Sequence, residues 1–147
     1  MIELLKKLIA TPSISGFEHD VATIVGADME QHGYIPERIG LNLLCYGRFY
    51  DPSKPTLLLN SHMDTVKPVS GWMRDPFTPV IEDSCLYGLG SNDAGGSVTA
   101  LLHTFLYLAE HKELLDSLKV EPLLVLTAEE ERSGPDGMHR ISAEMPD

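Results

Sequence analysis

The sequence predicts an α/β fold, a partly parallel sheet flanked by helices, and three observations carry that prediction. Segments with apolar residues at helical spacing alternate with short, continuously apolar runs, as strands alternate with the helices that cover them. Two of those runs, Thr56–Asn60 and Val120–Thr127, lack the polar alternation of a half-solvated strand and read as strands covered on both faces. The third is size. A chain of 147 residues, 43% hydrophobic and 22% charged, suits one folded domain and excludes a disordered chain.

Each element has a local signal. Ile2, Leu5, Leu8 and Ile9 share one face of a first helix, which Thr11-Pro12-Ser13 stops. Val21, Ile24, Val25 and Met29 stripe a second helix near Glu18–His32, and Gly33 ends it. Tyr34–Ile39 and Leu43–Phe49 read as strands, Asp51–Pro55 as a turn, and Thr56–Asn60 as a strand. Thr65 to about Val80 is irregular and carries Trp72, the one tryptophan. Irregular segments of that length in a compact domain are often functional. Ile81–Tyr87 reads as a short ribbon and Gly88–Gly96 as a glycine-rich turn. A long helix follows from about Ser97 to Glu110, with Leu118 its furthest limit. Val120–Thr127 is a strand, Glu129–Gly137 a loop, and the last residues begin a weak helix.

Composition narrows the function. A net charge of −11 argues against a nucleic-acid or anionic-membrane partner, both of which want a basic footprint. No apolar run approaches the roughly 18 residues of a membrane span. Met1–Ala10 lacks the order of a signal peptide, so a cytoplasmic location is expected. Cys45 and Cys85 form no CxxC pair and are expected to be buried thiols.

Three places carry residues that a core does not need. His62 and Asp64 follow the strand Thr56–Asn60, at the sheet edge where α/β folds bind ligands. In extended backbone they share a face, and a carboxylate beside an imidazole fixes its tautomer for metal binding. Asp93 lies in the turn Gly88–Gly96, which has neither a GKS ending nor dinucleotide spacing. Its alternative role is to cap the helix that follows. The third is the run Glu129, Glu130 and Glu131 after Val120–Thr127. Adjacent carboxylates repel, and a bound dication reverses that cost. In isolation the first and third places also read as solvated turns. All three fall at strand ends or strand-to-helix turns, and nitrogen and carboxylate donors without thiolates suit zinc or a similar divalent ion.

The runs Leu57–Val66, Asp75–Phe77, Leu86–Asp93 and Ala128–Glu131 together resemble the zinc metallopeptidase family of acetylornithine deacetylase, succinyl-diaminopimelate desuccinylase and carboxypeptidase G. Gly88–Asp93 and Ala128–Gly134 most resemble the acetylornithine deacetylase branch. The resemblance implies two Zn2+ ions per complete site, with Co2+ or Mn2+ as substitutes. It implies His62 as a ligand of one zinc, Asp93 as the bridging carboxylate and Glu131 as a ligand of the second. Asp64 becomes the acid orienting His62, and Glu130 the general base; Glu129 receives no role. The implied reaction is hydrolysis of an N-acyl amino acid, with acetylornithine first and arginine biosynthesis as the setting. Such a base takes a proton from water and passes it to the leaving amine.

The resemblance also implies parts that these 147 residues lack. The family adds an Asp or Glu ligand after a strand that would begin near Asp147, a late histidine ligand, and an inserted lid or dimerisation domain. Residues 1–147 are therefore expected to be the N-terminal portion of an incomplete catalytic domain, with weak metal binding and little turnover alone. A homodimer is expected of the full-length protein. Val120–Thr127, lacking later strands, is expected to expose apolar surface and unpaired backbone, with aggregation or self-pairing as the result. His19, His32, His103, His111 and His139 read as helix or surface residues. The competing readings are a di- or tripeptidase, a succinyl-diaminopimelate desuccinylase, a non-catalytic metal- or partner-binding module, and a nucleotide-binding domain built on Gly88–Gly96.

Overall fold

A computed structural model describes residues 1–145. Helices α1 (Ile2–Ile9) and α2 (His19–Gln31) precede strands β1 (Glu37–Ile39), β2 (Asn42–Tyr46) and β3 (Thr56–His62). A hairpin of β4 (Val80–Glu82) and β5 (Cys85–Tyr87) leads to α3 (Gly95–Glu110) and α4 (Lys112–Leu118). Strand β6 (Glu121–Thr127), a 3-10 turn at Glu130–Arg132 and α5 (Met138–Glu144) complete the elements of the described residues. The strand expected near Asp147 lies outside the described residues.

The four-stranded sheet has the order β1-β2-β6-β3. β6 runs parallel to β3, with Leu59 beside Leu124 and His62 beside Thr127. It runs antiparallel to β2, with Cys45 beside Leu124. The sheet is thus partly parallel, as the sequence predicts. Period-2 alternation divides β6 between two cores. Leu124 and Leu126 point with Leu43 and Cys45 to the face covered by α1, α2 and α3, where Met29, Leu102 and Phe105 are buried. Leu123 and Val125 point with Leu44 and Ile39 to the other face, where Ile141 of α5 covers them.

Strand order overturns one expectation. β6 is buried at every residue and paired on both sides. β3, like β1 at the other side, is an edge strand among the described residues, and Leu58 is 44% exposed. Three consecutive leucines look like a central strand, but which strand sits inside depends on pairing that a local pattern does not encode. The uncovered apolar surface therefore lies on β3, not on β6.

Smaller corrections follow from packing. The buried stripe of α1 is Leu4, Leu8 and Ile9, while Ile2 in its first turn is exposed. The expected strand Tyr34–Ile39 shortens to Glu37–Ile39. The long helix begins two residues early and breaks at His111. Cys45 is buried as expected; Cys85 is exposed because its hairpin stands off the sheet.

Candidate metal centre

His62 is the last residue of β3, so its side chain leaves the sheet at the C-terminal edge. The chain then turns inward. The Met63 amide extends the ladder by donating to the Thr127 carbonyl (2.8 Å), and the Thr65 amide donates to the Ser13 carbonyl (2.9 Å). Asp64, between them, is fully buried. One carboxylate oxygen accepts from the Glu130 amide (3.0 Å). The other accepts from the Glu131 amide (3.1 Å) and the Ser15 hydroxyl (2.7 Å). Asp64 therefore ties the ends of two parallel strands to the loop after α1, and with them the backbone of the acidic run.

Asp93 comes from the turn before α3. It does not cap that helix: Ala94 is the N-cap and no side chain caps it. The turn closes by a hydrogen bond from the Gly95 amide to the Gly90 carbonyl (2.8 Å). Gly90 has φ +73°, the left-handed region where a side chain is disfavoured. Asp93 Oδ1 instead lies 3.1 Å from His62 Nε2.

The three acids after β6 separate. Glu129 is buried, adopts a left-handed backbone (φ 56°) and faces away from the cluster. Its carboxylate pairs with Arg132 and accepts from the Asp136 amide (3.3 Å). Its amide donates to Glu18 Oε1 (3.0 Å), which also accepts from the Gly16 amide. A Cβ on Gly134 would collide with the Glu129 carboxylate, so glycine is required there. Glu129 is thus structural, and the mutual repulsion of three carboxylates is relieved by turning one inward. Glu130 projects toward solvent, with Oε2 3.8 Å from His62 Nε2. Glu131 turns to the cluster.

His62, Asp93 and Glu131 each place one donor atom within 4.8 Å of the other two. Among the described residues no other such group forms. His103 and His111 instead contact carbonyls one turn back on their helix. His139 lines a small hollow with Glu130 and Met138 and is not one of the three converging donors. Ser15 and Glu18 escaped the sequence reading; a serine beside a glycine and an acid at a helix start carry no signal of burial against a distant loop.

The electrostatics match the geometry. Nδ1 of His62 lies 3.3 Å from the Asp64 carboxylate and 3.1 Å from its carbonyl oxygen. The hydrogen bond to Asp64 raises the imidazole to about 9, against the opposing effect of burial. Burial alone would raise Asp64; hydrogen bonds from His62, Ser15 and the Glu131 and Glu130 amides outweigh it and bring the group to about 2. Burial, with the charge of Asp93 next, raises Glu131. Asp64 holds Nδ1, leaving Nε2 aimed at two carboxylates. That donor set, one imidazole nitrogen and carboxylate oxygens at one sheet edge, fits a divalent ion such as zinc.

The comparisons with known proteins agree on the fold and the family. The family described as Peptidase family M20/M25/M40 matches residues 58–146. The chain is 31% identical over 149 residues to a succinyl-diaminopimelate desuccinylase of Stenotrophomonas maltophilia, covering 97% of this chain and 38% of that protein. It is 30% identical over 146 residues to the enzyme of the same name from Halorhodospira halophila, covering 95% and 37%. Both bear the name of the alternative raised above rather than acetylornithine deacetylase. An M20 family metallo-carboxypeptidase from Sulfolobus solfataricus superposes with a TM-score of 0.67 at 26% identity, over 88% of this chain and 31% of that one. The chain thus spans less than two-fifths of the length of these relatives. No helix among the described residues is long and apolar enough to cross a membrane.

Proposed function

The chain belongs to peptidase family M20/M25/M40, and on that premise we propose that it forms the metal-binding part of an amide hydrolase acting on an N-acyl amino acid. The preferred substrate on this reading is an N-succinylated amino acid of the diaminopimelate type, because that is the activity in the names of both relatives. Acetylornithine, di- and tripeptides are its competitors, with amino-acid biosynthesis as the broader setting.

The observation that carries the reading is the convergence of His62, Asp93 and Glu131 from three separate chain segments. These residues would hold the metal, and further segments of the longer protein would supply the remaining donors. A divalent ion held by these residues would supply polarisation of an amide carbonyl and a lowered pKa for water. Asp64 fixes the His62 ring through Nδ1 and positions the Glu130 and Glu131 backbone through its amide contacts. Glu130, beside the donors and open to solvent, accepts the proton of the attacking water. It returns that proton to the leaving amine, so an acid and an amine are released.

A substrate panel on the zinc-loaded, full-length protein tests this. N-succinyl amino acids should be turned over faster than N-acetylornithine and dipeptides. Glu130→Gln should keep its zinc while the rate falls by orders of magnitude. Zinc lost together with the rate, or a rate kept, overturns the assignment.

A further inference from the structure

The irregular segment after Asp64 and the β4–β5 hairpin enclose a hollow of about 480 Å3. Trp72, Met73, Leu86 and Tyr87 give it an apolar wall, and Arg74 lies among them. It shares Trp72, Gly88 and Ser91 with a groove of about 190 Å3 that is also lined by Asp93 and Glu131. A space of this size, mostly apolar with a few polar groups, here Arg74, Asp75 and Thr78, is the usual form of a small-molecule site. The hollow and the groove are therefore neighbours that share a wall of three residues, with two of the three metal donors on the groove's side.

Asp75 lines the hollow and Glu82 stands beside it through Arg74, and both carboxylates already accept hydrogen bonds. Asp75 accepts from the Phe77 amide (2.9 Å) and the Thr78 hydroxyl (3.1 Å). Glu82 pairs with Arg74. Arg74 is not exhausted by that pair. A guanidinium carries five N–H donors in one plane, and among the described residues Arg74 donates only to Glu82. The guanidinium carbon lies over the Tyr87 ring, 4.5 Å from its centroid, so the side chain is already placed and little entropy is lost when a further acceptor binds.

We propose that this hollow is the acyl subsite, and that Arg74 binds the terminal carboxylate of a short dicarboxylic acyl chain, such as succinyl, whose methylenes lie against Trp72 and Leu86. The proposal rests on the hydrolase reading above and deepens it by naming a residue that selects the acyl group. Glu82 competes with that carboxylate for the guanidinium, so it weakens binding as well as holding Arg74 in place.

Trp72 is the only tryptophan and lines the hollow, so its fluorescence reports occupancy. Three probes differ only at the acyl terminus: N-succinylglycine (carboxylate), N-butyrylglycine (methyl) and β-alanylglycine (ammonium). Each is titrated into the metal-free protein, with calorimetry for affinity and Trp72 emission for location. N-succinylglycine should bind at least about tenfold more tightly than N-butyrylglycine, with β-alanylglycine weakest, and should change Trp72 emission. Arg74→Gln should erase the tenfold preference without changing N-butyrylglycine binding; Glu82→Gln should enlarge it.

Equal affinities, preference for the ammonium probe, heat without a Trp72 response, or an Arg74→Gln variant that weakens all three probes alike each overturn the proposal. Arg74 is partly exposed, and a circular dichroism spectrum matching the parent establishes that the variant is folded. Zinc binding that persists without acyl preference defeats this subsite alone. Acyl preference that persists without zinc binding defeats the hydrolase reading alone.

Discussion

Metal uptake should expel a proton from His62, and the size of the effect follows from the site. In the metal-free protein the imidazole is raised to about 9 by its hydrogen bond to Asp64. At pH 7 the ring is therefore protonated, with Nε2–H directed at Asp93 (3.1 Å). A metal needs the Nε2 lone pair, so binding at pH 7 must release close to one proton. Two pH units below about 9, the apparent affinity is lowered roughly 100-fold, and it should recover about tenfold per pH unit as the pH rises from 6.5 to 8. Calorimetry in buffers of different ionisation enthalpy counts the protons, and competition with a chelator measures the slope. Binding that releases no proton, with flat affinity over that range, would refute the claim that Nε2 of His62 is a ligand. The same shift has a sign in stability. The protonated His62–Asp64 contact stabilises the metal-free fold fully below pH 6.5, and this contribution is lost as pH rises through about 9.

Asp64→Asn removes the charge that holds His62 protonated. The imidazole should titrate nearer its ordinary value by NMR, and zinc affinity measured above about pH 9, where protons no longer compete for Nε2, should fall about 10–100-fold; an unchanged titration would mean that Asp64 does not orient the ring. Asn42 is buried and bonds the Ile39 and Asp136 carbonyls and the Ala128 amide. Asn42→Ala should destabilise the fold by about 2–4 kcal/mol in urea unfolding, and a loss below about 0.5 kcal/mol would show those bonds to be replaced by water. Leu58 lies on an open edge strand. Leu58→Lys should reduce self-association in sedimentation velocity with little change in stability; undiminished association would place the sticky surface elsewhere.

The parts legible in the sequence were those in which residue type and strand end coincide. His62, Asp93 and Glu131 are polar residues in places where apolar runs stop, and the structure brings those three together. The fold class was legible for a related reason: Val98, Leu102 and Phe105 repeat at helical spacing and do face the sheet. What escaped depends on contacts between distant segments. Leu57–Leu59 could not reveal that β3 is an edge, since that follows from β6 pairing with β2. Glu129 looked like one more carboxylate in an acidic run; its burial follows from Arg132, Glu18 and the space at Gly134. The break at His111 separates two helices whose apolar pattern reads as nearly continuous.

Anomalous diffraction from a zinc-soaked crystal tests most directly whether His62, Asp93 and Glu131 form a metal centre. The account predicts a zinc peak bonded to His62 Nε2 and an Asp93 oxygen, with Glu131 bonded to that ion or to a second one sharing Asp93. A peak elsewhere on the molecule, or none among these three residues, would contradict it.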